Sequence, residues 1–410
     1  MTAMADQVKN IRSQFPALKL KFSGQDFTYL DSTNTTLKPQ VVIDRIQKFY
    51  SEEASNVHRG GYQWSAQTTT NFENSRQKIA DFIGAKSSDE IVFVRGTTEG
   101  INLVASCLSQ SYLKQGDEVL ISEMEHHANI VPWHLLQSKI NIKVNAVRIT
   151  DQGELDLDDL KAKLNSRTKL VALTACSNTL GTITPIQEIA KIIRQNSSAL
   201  FLVDGAQLIT EMPVFVRELD ADFFVFSSHK VFGPTGIGVL YAKKEILEIL
   251  PPYQGGGSMI SKVTLESTTF NDVPLRFEAG TPHIEGVIGL HAAIEFLEGV
   301  GWSYIQSHKA LLLKEAQKAL STIPNILFYG TAEKKSPILS FNLKGIHHSD
   351  LAQILDEMGI AVRAGHHCTQ PLMDRFAIPG CVRASFSIYN TTEEIQKLTA
   401  GIKKAQEMLS

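Results

Sequence analysis

Cysteine is scarce in this chain. Four occur in 410 residues, at positions 107, 176, 368 and 381, and no two are spaced as C-x-x-C. That spacing argues against a disulfide scaffold and against a zinc site. A reducing, cytoplasmic setting is the expectation. An excess of charge of one sign is also missing. Lys and Arg number 40 against 43 Asp and Glu, for a formal net charge of −3. There is therefore no electrostatic reason to expect a nucleic acid or an anionic membrane as partner. No apolar run approaches the length needed to cross a bilayer. The opening MTAMADQVKNIRSQFP is polar and lacks the apolar core of a signal peptide. No internal repeat or low-complexity segment is evident.

The chain is long enough for two domains. From about residue 20 to 285, apolar strand-like runs alternate with helix-like runs. The strand-like runs are Ile91–Val94, Glu118–Ile121, Leu170–Leu173, Leu200–Val203, Phe223–Phe226 and Gly238–Tyr241. This alternation predicts an α/β domain, a mostly parallel sheet with helices on both faces. A long helical pattern follows over about 285–315. Strand-like runs Ile338–Leu343, Ile360–Arg363 and Val382–Ile388 come after it, separated by helix-like stretches. Residues 286–410 thus read as a smaller α+β domain.

One run stands out, DFFVFSSHKVFGPTGIG over 222–238. Its apolar start is a buried strand, and Lys230 leaves that strand beside Ser227, Ser228 and His229. Such an amine is well placed for desolvation, which lowers its pKa, and a neutral amine forms Schiff bases. Asp204 lies twenty-six residues earlier, just past another strand, about one strand–helix–strand step away. Ligands bind at such strand ends in open α/β sheets. A carboxylate there can keep a pyridinium nitrogen protonated, and the position equally suits a helix cap. The third element is Arg95-Gly96-Thr97-Thr98-Glu99-Gly100, between a strand and a helix. Free N–H groups at a helix start seat a phosphate. Phosphate seat, ring-nitrogen acid and Schiff-base lysine together describe a pyridoxal phosphate site. Thr97, Thr98, Ser227 and His229 are its phosphate donors. His126, in Met124-Glu125-His126-His127, can stack on a pyridine ring and shuttle a proton. A metal site built from His126, His127 and His134 is the weaker reading, because adjacent histidines point apart and no H-E-x-x-H occurs.

These residues also carry a resemblance. VHRG (57–60), RGTTEGINLVA (95–105), MEHHANIVPWH (124–134), SNTLGT (177–182), VDGAQ (203–207), SSHKVFGPTGIGVLY (227–241), FEAGTP (277–282), VRAGHHC (362–368) and VRASFSIYNT (382–391) span almost the whole chain. The sequence resembles the fold-type I pyridoxal phosphate enzymes of the class V aminotransferase superfamily. Within them it resembles the group II, SufS-type cysteine desulfurases. The resemblance implies a seven-stranded large domain over 20–285. It also implies a small domain over 286–410, with residues 1–19 packed on it. It assigns Gln207 to the cofactor's phenolic oxygen and Asn178 to that oxygen or the substrate carboxylate. It gives Arg383 the substrate carboxylate, with Arg363 and His58 as further pocket candidates. It brings Thr281 across from the second subunit of a homodimer.

Cys368 decides between reactions. It sits in a polar loop with Gly365, His366 and His367, where nearby cations favour a thiolate. A thiolate facing a cofactor-bound cysteine can take its sulfur and leave alanine. Cys107, Cys176 and Cys381 have the neighbours of small buried hydrophobes. The resemblance implies L-cysteine as substrate, a SufE- or SufU-like acceptor protein, and iron–sulfur cluster assembly as destination. Alternatives are a selenocysteine lyase, another class V epimerase or aminotransferase, or a weak sulfur carrier. The chain departs from the desulfurase pattern at Thr33, Asn34, Tyr62, Trp64, Ala175, Cys176, His283 and Thr369. Several of these fall around the expected pocket.

Overall fold

A computed structural model of the chain describes residues 2–22 and 24–409. Its centre is a seven-stranded sheet. In spatial order the strands are Ile91–Val94, Gly238–Ala242, Phe223–Ser227, Leu200–Asp204, Thr168–Thr174, Glu118–Ser122 and Lys143–Val147. The last five run parallel, whereas Gly238–Ala242 is antiparallel to both neighbours. Connection length explains the exception. Gly238 follows Ser227 after a short turn, too short for the crossover helix that a parallel return requires.

Alternate residues of one strand feed opposite layers. Phe224 and Phe226 join a core with Val287 and Leu290 of the helix Ile284–Val300. Phe223 and Val225 join a second core with Ile101, Leu103 and Val104 of the helix Thr97–Ser111. The sheet is thereby covered on both faces, which is why its strands read as unbroken apolar runs. The α/β class and the mostly parallel seven-stranded sheet expected from the sequence are borne out.

A second sheet has four antiparallel strands in the order Ile326–Tyr329, Ile338–Leu343, Cys381–Ser385, Arg363–Gly365. Its own core includes Leu312, Leu339, Phe341, Val382 and Leu398. Two details correct the sequence reading. The strand expected at Ile360–Arg363 is divided. Ile360–Ala361 pairs in parallel with Thr28–Tyr29, and Arg363–Gly365 joins the second sheet. The single helical pattern near 285–315 is two helices, Ile284–Val300 and Trp302–Leu320. They break at Gly301, whose φ of 86° suits a residue without a Cβ.

The N-terminal helix Thr2–Ser13 is anchored late in the chain. Arg12 donates to the Tyr389 carbonyl at 2.8 Å and to Glu394 at 2.9 Å. Phe15 packs edge-on to Tyr389 and also meets Phe232. Among the described residues, no helix is long and apolar enough to cross a membrane.

Candidate active site

Three parallel strands end at one place. Thr174, Asp204 and Ser227 are the last residues of neighbouring strands, and all three line a cavity of about 190 Å³. Strand 200–204 stops in a turn in which the Ala206 N–H donates to Asp204 Oδ1 at 2.9 Å. Gly205 allows that turn. A Cβ there would lie 2.0 Å from the ring of Phe224, a ring sealed in the core. On the neighbouring strand, a single turn over Ser228–Lys230 swings Lys230 into the same cavity.

Burial sets the electrostatics. It pulls the Lys230 amine down to about 8, with Asp204 opposing the shift and Arg383 adding to it. Burial pushes the Asp204 carboxyl up, against the Ala206 N–H and the Lys230 charge. His126 is driven down to about 4, first by burial and then by Lys230. Its Nδ1 accepts the Ala128 N–H at 3.1 Å, so the neutral ring carries its proton on Nε2. His229 is likewise held near 4 by burial and by Lys230.

The helix Thr97–Ser111 starts with no side-chain cap, at the edge of this cavity. Ser227 Oγ accepts the Thr97 N–H at 2.8 Å and lies 2.9 Å from Thr97 Oγ1. Thr98 and His229 line the same end. Gly238 permits the close approach, because a Cβ there would meet Gly96 Cα at 2.5 Å. Uncapped N–H groups, hydroxyls and a helix N-terminus form a seat for an anion such as a phosphate.

The opposite wall comes from the second sheet. Arg383 is 2% exposed, donates to the Asn178 carbonyl at 2.9 Å and to Asp31 at 2.9 Å, and leaves its Nε buried without a partner. Arg363 reaches the other oxygen of Asp31 at 3.3 Å. One carboxylate therefore ties together the two arginines expected in the pocket. Asp31 was not singled out from the sequence. It follows the buried Leu30 at a strand end, the same local pattern as Asp204.

Cys368 lies at the mouth of the cavity and is exposed, whereas Cys107, Cys176 and Cys381 are buried. Burial pushes those three thiols up to about 12, 12 and 11. Cys176 nevertheless lines the cavity floor, a placement its neighbours in sequence did not signal. Three of the imidazoles near Cys368 are not the cations expected. Burial lowers His126, His127 and His367, the last to about 3, so the fixed positive charge in the cavity comes from Arg363 and Arg383.

Gln207 and Asn178 also line the cavity, each with one amide N–H in use. Gln207 donates to the Thr33 carbonyl and Asn178 to the His367 carbonyl, both at 2.9 Å. Thr33 and Asn34 complete the wall. Two expected residues are not brought there by this single chain. His58 bonds Glu73 at 2.8 Å, outside the cavity. Thr281 lines a separate cleft of about 340 Å³ with Arg95 and Tyr253. Among the described residues, no three His, Cys, Asp or Glu side chains are grouped to hold a metal.

This arrangement has known relatives. The family model described as aminotransferase class-V matches residues 28–398. The chain belongs to the class-V aminotransferase family. The superfamily resemblance read from the motifs is thus borne out. Within the family, the chain is 46% identical to a cysteine desulfurase of Dickeya dadantii, over 98% of this chain and 97% of the relative. It is also 46% identical to a probable cysteine desulfurase of Vibrio cholerae, over 97% and 98%. The crystal structure of the cysteine desulfurase CsdA from Escherichia coli, in an S-sulfonic acid form, superposes with a TM-score of 0.91. It shares 39% identity, covering 98% of this chain and 99% of that one.

Proposed function

We propose that this class-V family member is a pyridoxal phosphate-dependent cysteine desulfurase, which converts L-cysteine to L-alanine and loads the sulfur on Cys368. One observation carries the reading: the exposed Cys368 thiol shares a cavity with half-buried Lys230 and with buried Asp204 and Arg383, while the other three cysteines are buried. Full-length identity to named desulfurases supports it.

The residues fit the cofactor. The seat of Thr97, Thr98, Ser227 and His229 would hold its phosphate, Asp204 its ring nitrogen, and Gln207 and Asn178 its phenolic oxygen. The neutral His126 ring suits a stacking partner. When bound, pyridoxal phosphate supplies the electron sink for bond breaking at the amino acid's α-carbon. Arg383 lines the cavity with Arg363 beside it, and its guanidinium would grip a substrate carboxylate. Lys230, whose amine burial brings down to about 8, takes and returns the α-proton. The Cys368 thiolate attacks the substrate sulfur. A sulfur–sulfur bond forms, the carbon–sulfur bond breaks with its electron pair left on carbon, and a proton completes alanine. Free thiol plus cysteine becomes persulfide plus alanine.

The reading includes two domains, 20–285 and 286–410, with residues 1–19 on the second. It includes a cytoplasmic homodimer in which Thr281 of each subunit completes the other's phosphate seat and His58 serves the substrate pocket. A SufE- or SufU-like protein receives the sulfur for iron–sulfur cluster assembly. The test is turnover with L-cysteine, L-selenocysteine and other amino acids, assaying sulfide and alanine with a reductant present. Equal sulfide and alanine from L-cysteine is expected. Release from selenocysteine alone, or racemisation without sulfide, would contradict the proposal.

Two further outcomes follow from the geometry. The rate at which the chain captures added pyridoxal phosphate should rise with pH and level off just above 8, where Lys230 has lost its proton. A rise continuing past pH 10 would mean an ordinary solvated amine. Replacing Asp31 by alanine removes the anchor of both arginines. KM for L-cysteine should rise about ten-fold, with the absorption of the bound cofactor unchanged, as expected for a lost charge-assisted bond. An unaltered KM would show that the arginines hold their places without Asp31.

A further inference from the structure

The loop that carries Cys368 has an improbable backbone. His367 and Cys368 both adopt left-handed conformations, with φ of 51° and 58°. Two successive non-glycine residues hold such angles only where surrounding contacts over-determine them. Three sets of contacts are present. On the inner side, the Asn178 amide donates to the His367 carbonyl at 2.9 Å, and His367 Nε2 lies 3.0 Å from the Cys381 carbonyl. Below the loop, Thr369 Oγ1 and Thr179 Oγ1 are 2.9 Å apart. The third set comes from across the cavity mouth, and a single residue makes it.

That residue is His127. Its backbone N–H donates to the Cys368 carbonyl at 2.8 Å. Its side-chain Nε2 accepts the Gln370 N–H at 3.2 Å. Its ring lies 5.5 Å from that of His366, whose Nδ1 accepts the Cys368 N–H at 3.0 Å. His127 begins the one-turn helix His127–Asn129 immediately after His126. The residue on the cofactor side of the cavity and the residue gripping the cysteine loop are thus adjacent in the chain. His127 does not itself line the cavity. Burial and the neighbouring His366 lower its pKa, which keeps Nε2 free to accept.

We propose that His127 is a positioning residue that sets the reach of Cys368. It clamps the loop immediately after the thiol-bearing residue, through the carbonyl of residue 368 and the N–H of residue 370. The backbone half of the clamp survives any substitution except proline, and the side-chain half requires a neutral acceptor at the position of Nε2. The importance given to the clamp rests on the desulfurase reading, but the clamp itself does not.

The test therefore uses measurements that need no turnover. In the full-length protein loaded with pyridoxal phosphate, His127→Ala should leave the cofactor absorption unchanged. It should speed hydrogen exchange at the amides of 368–370 about ten-fold, the scale of one lost hydrogen bond in a local opening. The alkylation rate of Cys368 by iodoacetamide, mapped by mass, should change several-fold, with Cys107, Cys176 and Cys381 unmodified. His127→Gln, which retains an acceptor, should restore exchange toward the parent rate. Should the alanine variant fail to fold, the glutamine variant and His127→Asn, whose acceptor is shorter, give the same contrast. Sulfide release by the alanine variant should fall about ten-fold in kcat with little change in KM, as for a group acting after binding. Exchange and alkylation identical to the parent in a folded, cofactor-loaded His127→Ala protein would overturn the proposal. Altered exchange with unaltered sulfide release would leave a clamp with no part in catalysis, and would overturn it equally. A protein with no desulfurase activity at all would still show the exchange and alkylation differences, which separates failure of the functional reading from failure of the clamp.

Discussion

Lys230→Ala should leave a folded, colourless protein with no measurable turnover of L-cysteine, a loss on the order of 10⁴-fold or more. Among the described residues, Lys230 is the one amine lining the cavity, and burial brings it down to about 8. In the proposed reaction it anchors the cofactor and moves the α-proton, two roles open to no other side chain lining the cavity. His126 and His229 are held near 4 and have no amine to offer. The fold should tolerate the change, because burying an alanine there removes a desolvated amine rather than a packed apolar group. Absorption spectra and urea unfolding check both halves. A yellow Lys230→Ala protein that turns over L-cysteine at the parent rate would end the pyridoxal phosphate reading.

The second large effect is at Cys368. Cys368→Ser should bind the cofactor normally and show the parent's spectral change on addition of L-cysteine, because Lys230, Asp204 and Arg383 are untouched. Sulfide release should fall on the order of 10³-fold, since a hydroxyl is a far poorer nucleophile toward sulfur than a thiolate. Cys176 cannot substitute. It lines the same cavity, but burial raises its thiol to about 12 and its Sγ faces the Gly181 carbonyl. Cys176→Ala should accordingly change sulfide release by less than about three-fold, since it removes only a small buried hydrophobe. Undiminished desulfuration by Cys368→Ser would remove the assigned sulfur acceptor.

The sequence made the site more legible than the architecture. Lys230, Asp204 and Thr97-Thr98 each follow a short apolar strand, so strand-end logic alone placed them in one crevice. The edge strand Lys143–Val147 escaped because only Val147 of it is buried and it carries Lys143 and Asn145, which break the apolar signal. The divided strand at 360–365 escaped because its first half pairs with Thr28–Tyr29, a partner more than 300 residues away that no local pattern reveals. Asp31 was hidden for the same reason, since its arginines lie at 363 and 383. Periodicity also could not show that burial lowers the pKa of His126, His127 and His367. That property depends on which side chains cover them, and those arrive from both sheets.

In the proposed reaction, sulfur leaves L-cysteine onto one particular thiol, Cys368. The direct measurement is peptide mass mapping after brief exposure of the cofactor-loaded protein to L-cysteine without reductant, with labile thiols capped at once. One added sulfur is expected on the peptide containing Cys368 and none on those containing Cys107, Cys176 or Cys381. The added sulfur should disappear on treatment with dithiothreitol. An added sulfur on any other cysteine, or none on Cys368 while alanine accumulates, would contradict the proposed reaction.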